Sequence, residues 1–392
     1  MNEIILELCG NRHFHGSLAK ALTFILVVLS HDAFPDVVTA HAFRKHSELA
    51  NLWLIDRMER TGDVAPYWYD PENRANLNPH PMGLLIQARW TADLSTERKK
   101  LLTIHQKQIS SIAAQYRLDF SEQGRPPEIA GVASGEVALI LSTLLASPHR
   151  EEYEIFLQQF PSIVEFGIDP TLGIQQTFGS WAIQSDVEQR LYAGQMALSL
   201  LELYEVTGQN AALTLAGHLI GWLNSKAEPI KKLALHPTAI PWYAQALRKR
   251  AELLKDPEDW IQLRTIALSL LELQDKKVFP GRFWRPKAHE LGPPNTVRDA
   301  QSTRTLMMGL EASLRLSDQR SARRLKKAIL LGLENLKAHQ YTMGVVEAFR
   351  RPNEAIGAVR FRYDESLCRI DSTIFAAEVF EQAARLTLAQ SL

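Results

Sequence analysis

Apolar residues recur every three or four positions along almost the whole chain, and this helical period limits the fold more than any other feature. The alternation of apolar and polar residues that marks strands is nearly absent. Residues 196–223 show the pattern best, because one helix ends at Thr207-Gly208 and a second begins at Ala211. A glycine at this place commonly ends a helix, since it accepts a left-handed backbone conformation. The stretch predicts an antiparallel helical hairpin.

The same hairpin recurs along the chain. The first helices of six such units begin near residues 82, 135, 192, 242, 302 and 372, at a loose period of about 58 residues. The last of these helices has no second helix after it in the chain. The helix predicted over residues 41–60, which carries an apolar stripe and precedes the first unit, also lacks a partner. If these two pair, the chain closes a ring of six hairpins. The first helix of each pair carries few charges and is predicted to line the inside, while the basic run at residues 320–327 is predicted to lie on an outer, solvated face.

Composition excludes several classes of function. The 392 residues include 44 Lys+Arg and 44 Asp+Glu, and charge-driven binding to nucleic acid needs a surplus of cations. We therefore predict no nucleic-acid partner. The only cysteines, Cys9 and Cys368, cannot form a disulfide framework or a four-thiolate zinc site, and His13 and His15 lack a third ligand nearby. We predict neither a cofactor nor a metal site.

The most apolar run, residues 22–29, is about half of the ~20 residues that cross a bilayer. Acidic residues precede it, and it lacks the layout of a secretory leader. We predict that it is a buried helix within an N-terminal extension over residues 1–38, that the chain does not span a membrane, and that its location is cytoplasmic.

Four stretches resemble the six-hairpin, or (α/α)6-toroid, superfamily, which includes glycoside hydrolases, polysaccharide lyases and sugar epimerases. They are residues 192–208, 240–247, 302–312 and 369–371, and they look similar to bacterial proteins with a glucuronyl-epimerase-like helical domain. The resemblance implies an all-α (α/α)6 toroid over residues 39–392 and a carbohydrate-active protein. Relatives often carry a Gln-His pair after the Arg-Ile-Asp segment, whereas this chain has Ser372-Thr373.

The loops that lead into the inner helices concentrate aromatic and charged residues. In a ring of hairpins these loops form the mouth of an axial cleft, and the helix N-termini direct partial positive charge towards it. Aromatic rings pack on sugars, arginines hold carboxylates, and carboxylates transfer protons. The predicted catalytic residues are Asp186, Glu188, Asp299, Asp371 and Tyr243. The predicted substrate-binding residues are Trp68, Trp181, Tyr192, Trp242, Arg282, Trp284, Arg298, Arg304, Tyr363 and Arg369.

These residues favour a protein that binds an oligosaccharide or a uronic-acid-type glycan in the axial cleft, with epimerase, glycoside hydrolase or lyase chemistry. Because arginines gather at the mouth, a glycan or another anionic small molecule is the expected partner. The alternative function is a non-catalytic helical toroid that binds a protein or peptide through its loop face. For Asp299 and Asp371 the alternative role is helix capping, since both stand near predicted helix starts.

Overall fold

The computed structural model describes residues 37–71, 76–77, 81–95, 99–116, 118, 129–183, 185–226, 238–283, 295–347, 349 and 352–390. The predicted N-terminal extension therefore lies almost entirely outside the described residues. The α-helices in the described part are α1 (Val37–Thr61), α2 (Pro81–Ser95), α3 (Lys99–Tyr116), α4 (Ser134–Ala146), α5 (Glu154–Val164), α6 (Asp186–Thr207), α7 (Asn210–Lys226), α8 (Ile240–Leu254), α9 (Pro257–Leu270), α10 (Thr296–Arg315), α11 (Gln319–His339), α12 (Met343–Val346) and α13 (Ile370–Gln390). Two-residue strands accompany them: β1 (Trp68–Tyr69), β2 (Asn76–Leu77), β3 (Ile168–Asp169), β4 (Gly173–Ile174) and β5 (Cys368–Arg369).

Six helices form a closed inner ring. Each of α2, α4, α6, α8, α10 and α13 contacts the next, and α13 returns to α2. Helices α3, α7, α9 and α11 pack outside their inner partners, α5 follows α4 in the second hairpin, and α1 packs along α13. The prediction of an all-α ring of six hairpins, closed by one helix from each end of the pattern, is confirmed.

Two inner helices begin six residues earlier than the sequence pattern predicts. Ser185 caps α6 by accepting a hydrogen bond from the Glu188 amide, and Asn295 caps α10 by accepting one from the Arg298 amide. These caps satisfy backbone donors that the first turn of a helix leaves open. Asp299 consequently lies one turn inside α10, so the capping interpretation is wrong for this residue.

The ring closes where α1 meets the segment before α13. The Trp53 indole donates a hydrogen bond of 2.9 Å to the carbonyl of Glu354, while Phe43, Leu54 and Met58 of α1 are buried. Gly357 has φ +97°, and its Cα faces the backbone carbonyl of Leu49 on α1. Side-chain burial and close backbone contact therefore join two parts of the chain that are far apart in sequence.

The short strands hold the start of the last inner helix. Strand β1 pairs antiparallel with both β2 and β5, and this register sets Trp68 opposite Arg369 and Tyr69 opposite Cys368. A second antiparallel pair, β3 with β4, precedes α6. The β1–β5 pair therefore brings an aromatic residue from the first loop beside an arginine from the last.

The outer surface follows the predicted charge pattern. Arg320, Arg323, Arg324 and Lys327 of α11 are all exposed, as predicted for the basic run. None of the helices in the described residues is long and apolar enough to cross a membrane.

Two buried histidines predict acid sensitivity. His105 is fully buried, with Nδ1 3.1 Å from the Ala88 carbonyl and Nε2 3.0 Å from Ser147 Oγ. Burial lowers the pKa of His105 to about 4, and it lowers the pKa of His339 to about 4 as well. An unfolded chain takes up these protons near pH 6.5. The contribution of the two neutral histidines to the free energy of unfolding is therefore complete above pH 6.5, and it is lost as the pH falls through 4.

We expect the stability advantage of the wild type over His105→Gln to shrink between pH 7 and pH 4.5, by about 2 kcal/mol. Urea unfolding of both proteins at several pH values measures this difference. Unfolding free energies that stay parallel across the range would contradict the assignment.

Candidate functional site

A cavity of about 300 Å³ lies inside the inner ring, and all six inner helices line it. Its volume is at the small end of the range for ligand sites. Trp242, Met308 and Phe375 give it apolar surface, while Ser142 and Gln245 add neutral polar groups. Its charged residues are Arg89, Asp93, Glu202, Arg248, Lys249, Glu252, Arg304 and Glu378. These residues stand on the helices themselves, beyond the loops in which the sequence predicted the site.

Each cation of the cavity has an acidic partner. Arg304 Nη1 lies 2.9 Å from Glu378 Oε2, and Arg89 lies 3.4 Å from Glu202. The remaining pairs are Arg89–Asp93 at 3.6 Å, Arg248–Glu252 at 3.0 Å, Arg248–Glu311 at 2.9 Å and Lys249–Glu205 at 2.7 Å. Within the described residues, no three His, Cys, Asp or Glu side chains are grouped so as to hold a metal ion. The lining thus combines balanced charge with apolar surface.

Glu378 is the carboxyl of the cavity whose pKa is raised. Burial raises its pKa, and the negative charge of Asp93 raises it further, against the opposing effect of Arg304 and Arg89. A carboxyl whose pKa is raised in this way can donate a proton to a bound molecule.

Glu202 has a polar contact at each of its carboxylate oxygens. Ser142 donates a hydrogen bond from its hydroxyl to Oε2 of Glu202, and Arg89 approaches Oε1. The cavity therefore holds two carboxyl groups in different surroundings, with Arg89 near both.

A second group of predicted residues meets at the start of α13. Arg369 binds Asp371 through two hydrogen bonds of 2.7 and 2.6 Å, and the Tyr67 hydroxyl lies 3.4 Å from the same carboxylate. The guanidinium carbon of Arg369 lies 4.1 Å from the ring centre of Phe361 and 5.5 Å from that of Trp68. The structure thus unites the predicted residues Trp68, Arg369 and Asp371.

A third group surrounds the turn before α10. Arg282 lies over Phe279 at 4.3 Å and Tyr363 at 5.2 Å, and Tyr363 is about half exposed. Asp299 is buried nearby, where it accepts hydrogen bonds from the Phe283 amide at 2.8 Å and from Asn335 at 2.9 Å. Burial raises the pKa of Asp299 to about 6. These contacts tie α10, α11 and the turn together.

The other predicted residues are distributed around the ring. Asp186 is exposed and pairs with Arg190 at 2.6 Å, while Glu188 and Trp181 are also exposed. Tyr243 is buried and donates a hydrogen bond to Asn224 of α7. Tyr192 is half-buried against Gly135. Arg298 is buried at the start of α10, and this burial lowers its pKa.

Trp284 lies outside the described residues. Of the predicted set, Trp242 and Arg304 line the cavity.

Sequence reasoning missed the charged residues in the middle of the inner helices. Arg89, Glu202 and Glu378 each follow a mostly apolar stretch of an inner helix, at a place where a charge is costly to bury without a partner. A single charge on the predicted inward face of each apolar helix is the signal that would have found them.

Comparison with solved structures identifies the architecture. The chain matches the GH76A α-1,6-mannanase from Salegentibacter sp. HEL1_6 with a TM-score of 0.62 and 11% identity, over 88% of this chain and 99% of that one. It matches the unsaturated glucuronyl hydrolase from Streptococcus agalactiae with a TM-score of 0.59 and 11% identity, over 92% and 94%. The fold is the (α/α)6 toroid.

An inactive variant of the same mannanase in complex with α-1,6-mannotriose matches with a TM-score of 0.63 and 11% identity, over 88% and 99%. No protein-family model and no curated protein matches the sequence. At this identity the solved structures establish the toroid fold, and the chemistry of the cavity has to be argued from this chain's own residues.

Proposed function

We propose that the chain binds a short saccharide in the axial cavity and hydrolyses a glycosidic bond there. The observation that carries this proposal is the presence of Glu378 and Glu202, in different surroundings, within one cavity that also presents Trp242 and Phe375. Glycoside hydrolysis requires two carboxyl groups, one as the acid and the other as the base or the nucleophile. Similar toroids act on α-1,6-mannan and on unsaturated glucuronyl substrates, which supports a saccharide as the ligand.

In this proposal Glu378 is the proton donor to the glycosidic oxygen, because burial and Asp93 raise its pKa. Glu202 is the base or the nucleophile, since Ser142 and Arg89 contact its two carboxylate oxygens and hold them in place. Water supplies the hydroxyl group that replaces the leaving sugar. The anomeric form of the first product, observed by NMR, shows whether Glu202 activates water or attacks the sugar directly.

The pairing of charges favours a ligand rich in hydroxyl groups over a polyanion. Each cation of the cavity already meets a carboxylate, so a polyanionic chain would have to displace these partners. The mannanase becomes inactive when two consecutive aspartates are replaced, whereas this sequence contains no two consecutive aspartates. In this chain the two glutamates take the roles of acid and base.

The test begins with binding. We expect methyl α-D-mannoside, α-1,6-mannotriose or methyl β-D-glucuronide to give saturation-transfer NMR signals with the wild-type protein. We also expect Arg304→Met to weaken that binding about 10- to 100-fold, because a hydrogen bond to a charged group is lost.

The matched control is Arg385→Met. Arg385 also pairs with a glutamate, Glu381 at 3.1 Å, but its side chain is 72% exposed and does not line the cavity. This variant should bind as the wild type does. If no saccharide of the panel binds or reacts, the proposed function is wrong.

One observation favours a protein partner as a second function. Phe166, Leu172, Trp181 and Ile183 are large apolar side chains that are each between 39% and 62% exposed, and they follow one another closely in the chain around the β3–β4 pair. Neighbouring exposed apolar side chains are typical of interaction surfaces. Replacing Phe166 and Ile183 with serine would abolish capture of such a partner and leave saccharide binding unchanged.

A further inference from the structure

Two buried glutamines hold equivalent positions on two helices of the inner ring, α6 and α10. On α6, Gln195 is followed by Leu198 and Glu202 at intervals of three and seven residues. On α10, Gln301 is followed by Arg304 and Met308 at the same intervals. All four of these following residues line the cavity. Because residues at such spacings share one face of a helix, both glutamines lie on the cavity side, one turn nearer the helix N-termini.

The amide groups of these glutamines have unused hydrogen-bonding capacity. Gln195 and Gln301 are each only 5% exposed. In the described part of the chain, neither Oε1 nor Nε2 of Gln301 has a hydrogen-bond partner, and the same holds for Oε1 of Gln195. Buried polar atoms are rarely left without a partner in folded proteins. Gln195 and Gln301 do not themselves line the cavity, but their amides have hydrogen-bonding capacity to offer a molecule that reaches this end of it.

The unused atoms define the chemistry of that ligand. Both Oε1 atoms are acceptors and need a donor, whereas Nε2 of Gln301 is a donor and needs an acceptor. An ionised carboxylate only accepts hydrogen bonds, so it would leave both oxygens unsatisfied. A sugar hydroxyl both donates and accepts, and therefore suits an amide at either atom.

We propose that Gln195 and Gln301 form the floor of the saccharide site and bind the hydroxyl groups of an uncharged sugar unit. This inference rests on the proposed function and adds to it the position and the type of the sugar. This neutral unit occupies the end of the cavity nearest the N-termini of the inner helices, about one helical turn from the Arg304–Glu378 pair.

The test measures affinity and thermal stability together in Gln195→Leu and Gln301→Leu, with methyl α-D-mannoside as the probe. We expect each variant to bind the mannoside about 3- to 10-fold more weakly, as the loss of one neutral hydrogen bond implies. We also expect the midpoint of thermal unfolding without sugar to stay equal or rise, because a buried polar group without a partner has been replaced by an apolar one.

Gln87→Leu is the matched control. Gln87 is also a buried glutamine of an inner helix, but its amide donates to the carbonyl of Ala65 and accepts from the Ala65 amide at 3.0 and 2.8 Å. Its loss should lower the unfolding midpoint. Arg304→Met reports separately on the proposed function.

The outcomes separate the two claims. In one outcome the wild type binds the mannoside, Arg304→Met weakens this binding, and both glutamine variants bind normally. The proposed role of the two glutamines is then wrong, and the proposed function stands. If the glutamine variants lose thermal stability without losing affinity, the amides serve the fold and the inference is overturned. If the wild type binds no sugar of the panel, the proposed function fails and the floor fails with it.

Discussion

Glu378→Gln is expected to lower the rate of saccharide hydrolysis by about 10²- to 10⁴-fold, the usual contribution of a positioned proton donor. Glutamine has nearly the shape of a protonated glutamic acid but cannot release a proton to the leaving oxygen. Arg304, which lies 2.9 Å from the carboxylate, can still hold the amide oxygen. We therefore expect the loss to appear in kcat, with KM changed little. Steady-state kinetics on the best substrate of the panel measures both constants.

The pH profile provides an independent readout. Because the pKa of Glu378 is raised by burial and by Asp93, the wild-type rate should fall on the alkaline side as this group loses its proton. The fall should be absent from the residual rate of Glu378→Gln. Glu202→Gln should also reduce the rate strongly, but it should leave the alkaline limb in place, since that limb belongs to Glu378.

Glu381→Gln is the control for both glutamates. Glu381 stands on the same helix α13 and also pairs with an arginine, Arg385, but outside the cavity. Its replacement should leave the rate within about twofold, since an exposed ion pair contributes little. Full activity in Glu378→Gln would remove this residue from the mechanism, and full activity in both cavity variants would remove hydrolysis by this pair.

Gly357→Ala is expected to destabilise the fold by about 4 kcal/mol or more, which is in the range seen for the most damaging single substitutions. A Cβ at this position would lie 2.1 Å from the Leu49 carbonyl oxygen and 2.8 Å from its carbon. Both atoms belong to the backbone of α1, so they cannot turn aside as a flexible side chain can. The backbone angle of φ +97° adds strain for any residue with a Cβ. Urea unfolding followed by circular dichroism measures the loss.

Gly208→Ala separates the two causes of this loss. Gly208 ends α6 with φ +70°, yet no atom outside its local chain lies within 4 Å of a Cβ built there. Its replacement should cost only about 1–2 kcal/mol from the left-handed conformation. Equal losses in the two variants would show that the contact with α1 does not contribute, and that the docking of α1 onto the 355–358 segment is looser than the structure indicates.

The architecture was predictable from the sequence because its signal is periodic. Thr207-Gly208 marks a helix end, and the recurrence of the hairpin at a loose period fixes the number of units. The predicted starts of two inner helices were less accurate, since Ser185 and Asn295 cap these helices before the apolar pattern begins. The pairing of the first and last helices followed from counting which helices lacked a neighbour.

The candidate site was only partly predictable, because a loop rich in charges is easier to see than a single charge in a helix. Arg304 and Trp242 were found and line the cavity, whereas Glu202 and Glu378 were not. Whether an inward charge meets a partner depends on the rotation of each helix in the ring, which the sequence does not state. Arg304 and Glu378 are 74 residues apart, and only the packing of α10 against α13 brings them together.

The pairing of α1 with α13 sets the order in which the molecule can be completed. Trp53 and its partner Glu354 are separated by 301 residues. During synthesis at the usual 5–20 residues per second, α1 waits on the order of 15–60 s before this partner exists. The surface of α1 that packs along α13 is therefore among the last parts of the ring to be buried.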